Sequence, residues 1–433
     1  MLLSKLIKSS FLISITILFT SCANKNVEIE DIKKYPQEAK FYLNKNLEFK
    51  EQEKYNDKFF EIYFRVWDNP IIKISKKEAN WAVKFKNENI YLQNYSKASK
   101  SWFEKHFENS NFEEFKTELI RAITIKNSNV RVLPTKEMMF YNPYNAGQGF
   151  PFDYNQNSHI KINTPVLISH FSKDKAWAYI KTPSFFGWIN TNDLAFVDEK
   201  FIKEFKTNSY AITIKDKLNI YDEFFIEKTQ LGTIFPISKN SKYLLAKKDD
   251  KHNAYLKEIE IEDENITTKP LVFNNENIEK IANELIAEQY GWGGIFGFRD
   301  CSSFTQDFYT TFGIYLGRNS RQQTFSGKYF NIKELSNKEK KEFIVKNAKP
   351  FKTLIYLKGH IMLYIGASKN EPLVMHNVWG VKTKVYLNKK GRNIIGKNVI
   401  TTLEFGKELL NYDDSNTVID KLQGFVILDE EKN

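Results

Sequence analysis

The chain has 433 residues, 42% of them apolar and 15% aromatic, which excludes a disordered tail and exceeds what one ordinary core holds. Its formal charge of +11 arises from 64 basic and 53 acidic residues. The lysines are dispersed among Glu and Asn without a basic run, so no nucleic-acid partner is expected; a Lys- and Asn-rich composition explains the charge, with attraction to anionic wall polymer or lipid as the weaker reading.

At the N-terminus, Lys5 and Lys8 precede an apolar stretch from Phe11 to Phe19 and small residues before Cys22. This is shorter than the ~20 apolar residues of a membrane span. It reads as a signal peptide over residues 1–21, with an uncut N-terminal anchor as the alternative. The ending Leu18-Phe19-Thr20-Ser21-Cys22 resembles a bacterial lipobox, which implies acylation of Cys22 and stable attachment, each buried CH₂ adding ~0.8 kcal/mol. Ala23 stands where an Asp would signal inner-membrane retention, so an exported, lipid-anchored protein on the periplasmic side of a membrane, the outer one favoured, is expected.

Residues 22–125 read as a tether running into a small α-rich unit. Trp102, Phe103, Phe107, Phe112, Phe115 and Leu119 recur among charges, which predicts mainly helix over 94–124. From about residue 127, short alternating runs are separated by Pro, Gly, Asn and Asp turns, the pattern of small barrels. The segment A-W-A-Y-I-K-T-P-S-F-F-G-W-I-N-T-N-D, 176–193, resembles the end of a bacterial SH3-like (SH3b) domain, giving one barrel over 126–200. A-I-T-I, L-N-I-Y-D and Y-L-L-A-K-K repeat the rhythm and suggest a second over 201–270.

A C-terminal α+β domain is expected over 271–433. Ile278, Ile281, Leu285 and Ile286 give residues 274–289 one apolar helical face after cap-forming Asn residues. Four glycines follow in Q-Y-G-W-G-G-I-F-G-F-R-D-C and allow close approach of backbone to a ligand. Cys301 then begins a helix-like run ended at Gly313, and strands follow, L-K-G-H-I-M-L-Y-I-G carrying His360 and L-V-M-H-N-V carrying His376.

With only two cysteines in the chain, no disulfide framework is expected. A thiol attacks a carbonyl as thiolate, and a helix N-terminus and an imidazole both favour that form. Neighbouring antiparallel strands could bring His360 and His376 together, one facing the thiol and the other orienting it. On residues alone, Cys301 reads more readily as a buried small hydrophobe than as a nucleophile. A metal site on Cys301, His360 and His376 fits no short ligand motif, and His106, His159, His170 and His252 need no function.

The stretch Y-G-W-G-G, D-C-S-S-F, G-R-N-S-R-Q-Q, G-H on a strand and a polar residue on the next strand resembles the NlpC/P60 family of papain-like cell-wall peptidases. Ser303 stands where that pattern has Gly. The resemblance extends to the subgroup with an N-terminal stabilising domain and two SH3b domains. It implies Cys301 as nucleophile, His360 as general base and acid, His376 as the residue holding its tautomer, and Tyr290 near the oxyanion. It further implies that Asp300 and Ser302 grip a free N-terminal amine while Arg318 and Ser320 close the pocket. Trp292 could wall the pocket or belong to the core. In the subgroup the first barrel adds an acidic residue, for which Asp153 is a candidate, although a turn carboxylate is the plainer reading.

The implied reaction is hydrolysis of the γ-D-glutamyl–diamino-acid bond of peptidoglycan stem peptides or muropeptides by a monomer, without metal or organic cofactor. The SH3b domains would narrow the cleft. Alternatives are an N-acetylmuramoyl-L-alanine amidase or other papain-like acyl transferase, and a non-catalytic wall-binding lipoprotein.

Overall fold

The computed structural model describes residues 26–43, 46–385, 389–415 and 417–431; Cys22 and the expected signal peptide lie outside the described residues. Among the described residues no helix is long and apolar enough to cross a membrane.

The segment read as a tether is pinned to the C-terminal domain. Asp31 accepts both the backbone N–H and the hydroxyl of Thr402 at 2.7 Å, and Val27 and Asn393 exchange two further hydrogen bonds. The main helix of the N-terminal unit is α1, Gln52–Asp68, whose Phe59, Ile62, Phe64, Val66 and Trp67 are buried. Helix α2 is Lys100–Asn109, capped by Ser99.

The predicted helix over 94–124 is therefore only partly present. Phe112–Glu114 is a single 3₁₀ turn, and Ile120–Thr124 is strand β1. Lys116 and Leu119 take positive φ, 72° and 47°, and break the run. The spacing of Phe112 and Phe115 serves an aromatic cluster with His170 and Tyr179 rather than a helix face.

Strand β1 enters a seven-stranded antiparallel sheet with β2 (Ser128–Arg131), β3 (Gln156–Ile160), β4 (Pro165–Phe171), β5 (Trp177–Lys181), β6 (Phe186–Asn190) and β7 (Leu194–Phe196), in the order β3-β2-β6-β5-β4-β1-β7. Its interior is Ala122, Val130, Val166, Ile168, Ala178, Ile180 and Ile189, all fully buried. Residues 210–267 form one three-stranded sheet and two hairpins around Phe235, Leu245 and Ile220.

In the C-terminal domain α3 (Asn275–Leu285) starts at the Asn274 cap and stops where Ala287 turns to φ 66°. Helix α4 is Cys301–Thr310, and α5 is Asn337–Asn347. Strands β8 (Lys328–Asn331), β9 (Thr353–Leu357), β10 (His360–Ser368), β11 (Glu371–Val385), β12 (Lys389–Thr402) and β13 (Leu422–Ile427) form an antiparallel sheet ordered β8-β13-β9-β10-β11-β12. Phe304, Phe308 and Phe312 pack with Ile361, Leu363, Ile365 and Met375 in one core. Burying each such side chain contributes about 1.5–3 kcal/mol, and the contact presses the first turn of α4 against the start of β10.

Candidate active site

Asp300 is the N-cap of α4. Its Oδ1 accepts the backbone N–H of Ser302 and Ser303, and the Ser303 hydroxyl accepts the Asp300 N–H, closing a capping box. Ser303, the departure from the family pattern, thereby joins the cap. Cys301 follows at the first helical position, where its own N–H has no intrahelical acceptor.

Cys301 is only 8% exposed. Burial, then the Asp300 carboxylate, push its thiol up to about 12, although the Ile361 backbone N–H hydrogen-bonds the sulfur and Arg318 lies near. A helix N-terminus by itself lowers a thiol's value, as expected from sequence, but desolvation outweighs the dipole here. Ile361 is the neighbour of His360 in β10, and Cys301 and His360 line one cavity of about 370 Å³.

His360 Nε2 lies 2.9 Å from His376 Nδ1, and His376 Nε2 lies 3.0 Å from the Thr401 hydroxyl. The Thr401 hydroxyl lies 2.9 Å from the Thr402 carbonyl, and when it donates there it accepts from His376 Nε2–H. His376 Nδ1 is then the acceptor and His360 Nε2–H the donor. The chain leaves His360 Nδ1 unprotonated, as a base requires. Burial lowers His360 to about 4 against the pull of Asp300, and burial followed by His360 holds His376 well below the ordinary imidazole range. Both rings are neutral near pH 7.

Tyr290 lines the same cavity. Burial, with Cys301 and Asp300 nearby, raises its phenol well above 10, so it stays a proton donor beside the sulfur. The Trp292 ring meets Phe152 and Tyr154 of the first barrel and also lines the cavity.

Arg318 donates to Asp300 Oδ2 at 2.9 Å, to the Ser302 hydroxyl at 3.0 Å and, across the domain junction, to the Ser158 hydroxyl of β3 at 2.6 Å. Burial would raise Asp300, but Arg318 and the capping donors outweigh it and hold the carboxylate below its usual range. Ser320 lines the cavity at the start of a four-residue helix. Gln323 holds the α4 turn by donating to the Ser302 and Gly317 carbonyls at 2.8 and 3.0 Å.

Asp153 does not reach this cavity. It is fully buried, paired with Arg131 at 2.9 Å, and accepts the N–H of Met139 and Asn155. Its partners all lie within the barrel region, so the reading as a structural carboxylate stands. The glycine loop lines the cavity through Gly293 and also packs closely on the barrel. Gly293 and Gly294 take φ 59° and 81°, and a Cβ on them would lie 2.9 Å from Gln156 and 2.5 Å from the His159 Cβ. Gln156 Nε2 donates to the Gly293 carbonyl at 3.1 Å.

Thr401 was missed in the sequence, where it is one of two adjacent threonines ending a mixed polar and apolar strand. Its signal is register: β11 and β12 pair Val374 with Thr401 and His376 with Val399, which makes Thr401 a diagonal neighbour of His376 on one face. Trp81 and Phe85 of the N-terminal unit and Tyr141 and Phe185 of the barrel region also wall the cavity. Distance in sequence hid them.

Residues 287–400 match the NlpC/P60 family, residues 11–115 the NLPC_P60 N-terminal stabilising domain, and residues 138–190 an SH3 domain of SH3b1 type. The chain is similar to an NlpC/P60 endopeptidase from Photobacterium damselae subsp. piscicida, at 26% identity and TM-score 0.84 over 94% of this chain and 99% of that one. An NlpC/P60 family protein from Bacillus cereus ATCC 10987 aligns at 17% identity and TM-score 0.40 over 62% of this chain and 81% of that one. No curated protein matches the sequence. The C-terminal domain is thus an NlpC/P60 family domain, preceded along the chain by an NLPC_P60 stabilising domain and an SH3 domain of SH3b1 type.

Proposed function

We propose that this is a cysteine endopeptidase that cleaves the γ-D-glutamyl–diamino-acid bond of peptidoglycan stem peptides carrying a free N-terminal L-Ala. The observation that carries the reading is the relay from Thr401 through His376 to His360, facing the cavity that holds Cys301. Cys301 Sγ attacks the γ-carbonyl carbon as its proton passes to His360 Nδ1. Tyr290 and the Cys301 N–H stabilise the oxyanion. His360 then protonates the departing amine, the C–N bond breaks and a thioester remains. Water, deprotonated by His360, attacks the thioester; the acid leaves and the thiol regains its proton.

The free-amine preference rests on Asp300. Its Oδ1 is crowded by the capping groups, but among the described residues Oδ2 has Arg318 alone. An ammonium can share Oδ2, whereas an acylated amine brings no charge to it. Export and a lipid on Cys22 belong to the same proposal, since the substrate lies outside the cytoplasm. The test is mass spectrometry of products from L-Ala-γ-D-Glu-diaminopimelate, its N-acylated form and whole sacculi. Release of L-Ala-D-Glu from the free tripeptide is expected. Intact peptide freed from muramic acid would instead identify an amidase, and no release by the wild type from any of the three would remove the enzymatic reading.

A further inference from the structure

His360 lines a second cavity, of about 190 Å³, which shares His360 with the cleft but none of Asp300, Cys301 or Tyr290. Lys382, Arg392 and Lys421 converge on it from β11, β12 and the segment before β13. Among the described residues none of the three forms an ion pair, although the chain pairs many of its other lysines and arginines. The side chains of Lys382 and Lys421 are in mutual contact, and this neighbour, followed by burial and then Arg392, lowers Lys382 to about 8. One carboxylate, Asp413, faces them, and it already accepts the N–H and hydroxyl of Ser415. The nearby Asp414 is paired with Lys384. Arg392 is itself held in place: its guanidinium lies against Gly147 of the first barrel region, 3.0 Å from where a Cβ would stand.

Two like-charged groups in contact inside a partly buried cavity repel one another unless an anion lies between them. We propose that this cavity is a carboxylate-binding site on the leaving-group side of the scissile bond, with Lys382, Lys421 and Arg392 gripping an acidic group of the residue whose amine departs. The orientation rests on the peptidase reading above. Asp300 takes a cation at the acyl end, His360 protonates the leaving nitrogen, and His360 also lines the cationic cavity, which Asp300 and Cys301 do not reach. The enzyme would thus measure a short dipolar peptide, positive at one end and negative at the other. The carboxylate could be the side-chain acid of the diamino acid or the peptide C-terminus; the chemistry is shared.

The experiment compares L-Ala-γ-D-Glu-meso-diaminopimelate with its side-chain amide, its C-terminal amide and the doubly amidated peptide, on the full chain and on Lys382→Met/Lys421→Met. The acid form should exceed the doubly amidated peptide at least tenfold in kcat/KM, and that ratio should collapse to about one in the variant. The single amide that loses the preference identifies the carboxylate. Lys382→Arg/Lys421→Arg keeps the charges and should retain the ratio, which separates charge from folding. In parallel, free meso-diaminopimelate is titrated into the full-chain Cys301→Ala protein by calorimetry, with and without the two Met substitutions. An unchanged ratio and unchanged binding in the Met variant overturn the site. Lysine-dependent binding without wild-type turnover of any peptide leaves the site standing and overturns the peptidase reading.

Discussion

Thr401 touches no substrate in this account, yet its hydroxyl decides which nitrogen of His360 carries a proton. Replacing it by Val removes the acceptor for His376 Nε2–H and leaves a buried donor unpaired, a cost of about 1–3 kcal/mol. Thr401→Val should therefore lower kcat by roughly tenfold to a hundredfold with little change in KM, and Thr401→Ser should restore it; steady-state kinetics read both. The protonation states set the pH response. His360 must be neutral to accept the thiol proton, and its value is lowered to about 4. Activity should rise as pH increases through about 4 and stay level across neutrality, rather than falling below pH 6.5 as for an ordinary imidazole. A kcat/KM profile with an acid limb near 6.5 would contradict the neutral pair. Cys301, His360 and His376 were legible because short motifs carry them. Thr401 was not, because its role arises from strand register, and Asp153 misled because an acidic turn residue looks alike whether its partner is a ligand or Arg131.

At the scale of elements, the sequence signals that held were those with a local cause. Asn274 and Asp300 cap their helices, so the starts of α3 and α4 could be read directly. The aromatic run from Trp102 to Leu119 was misread because rings spaced for a tertiary cluster mimic a helix face. The glycine loop is the sharper case. Its glycines were seen, but what they approach is strand β3, 137 residues away by the Gln156–Gly293 bond. Gly294→Ala forces a Cβ to within 2.5 Å of the His159 Cβ at φ 81°. It should lower the melting temperature and weaken turnover together, as the loop carrying Tyr290 and Trp292 lifts from the barrel; an unchanged melting curve would show that the contact is dispensable.

Across the whole molecule, one buried guanidinium ties three units. Arg299, 1% exposed, donates to Asp307 of α4 at 2.7 Å and to both oxygens of Asp216 in the second β unit at 2.9 and 2.5 Å. Asp307 in turn accepts Lys161 of the first barrel region at 2.6 Å. Burial opposes the Arg299 charge, but the two carboxylates more than compensate and raise it. Removing one member of such a cluster costs about 3–5 kcal/mol. Arg299→Met should destabilise the chain by that order in urea unfolding, and separate early unfolding of residues 126–270 would show that the units fold independently. No sequence motif announces this cluster, because its members lie in separate domains. The order of stabilising domain, SH3b domain and NlpC/P60 domain was readable, and a barrel narrowing the cleft was expected, but which residues do so, Tyr141 and Phe185 on the cavity and Ser158 on Arg318, emerges only from the fold.

The central claim is a covalent step on one sulfur, and rapid-quench intact-protein mass spectrometry with L-Ala-γ-D-Glu-diaminopimelate tests it most directly. A transient adduct on Cys301 equal to L-Ala-D-Glu less water is expected, absent from Cys301→Ala together with all turnover. Turnover at the wild-type rate by Cys301→Ala, or turnover by the wild type without any adduct at the earliest quench, would contradict it.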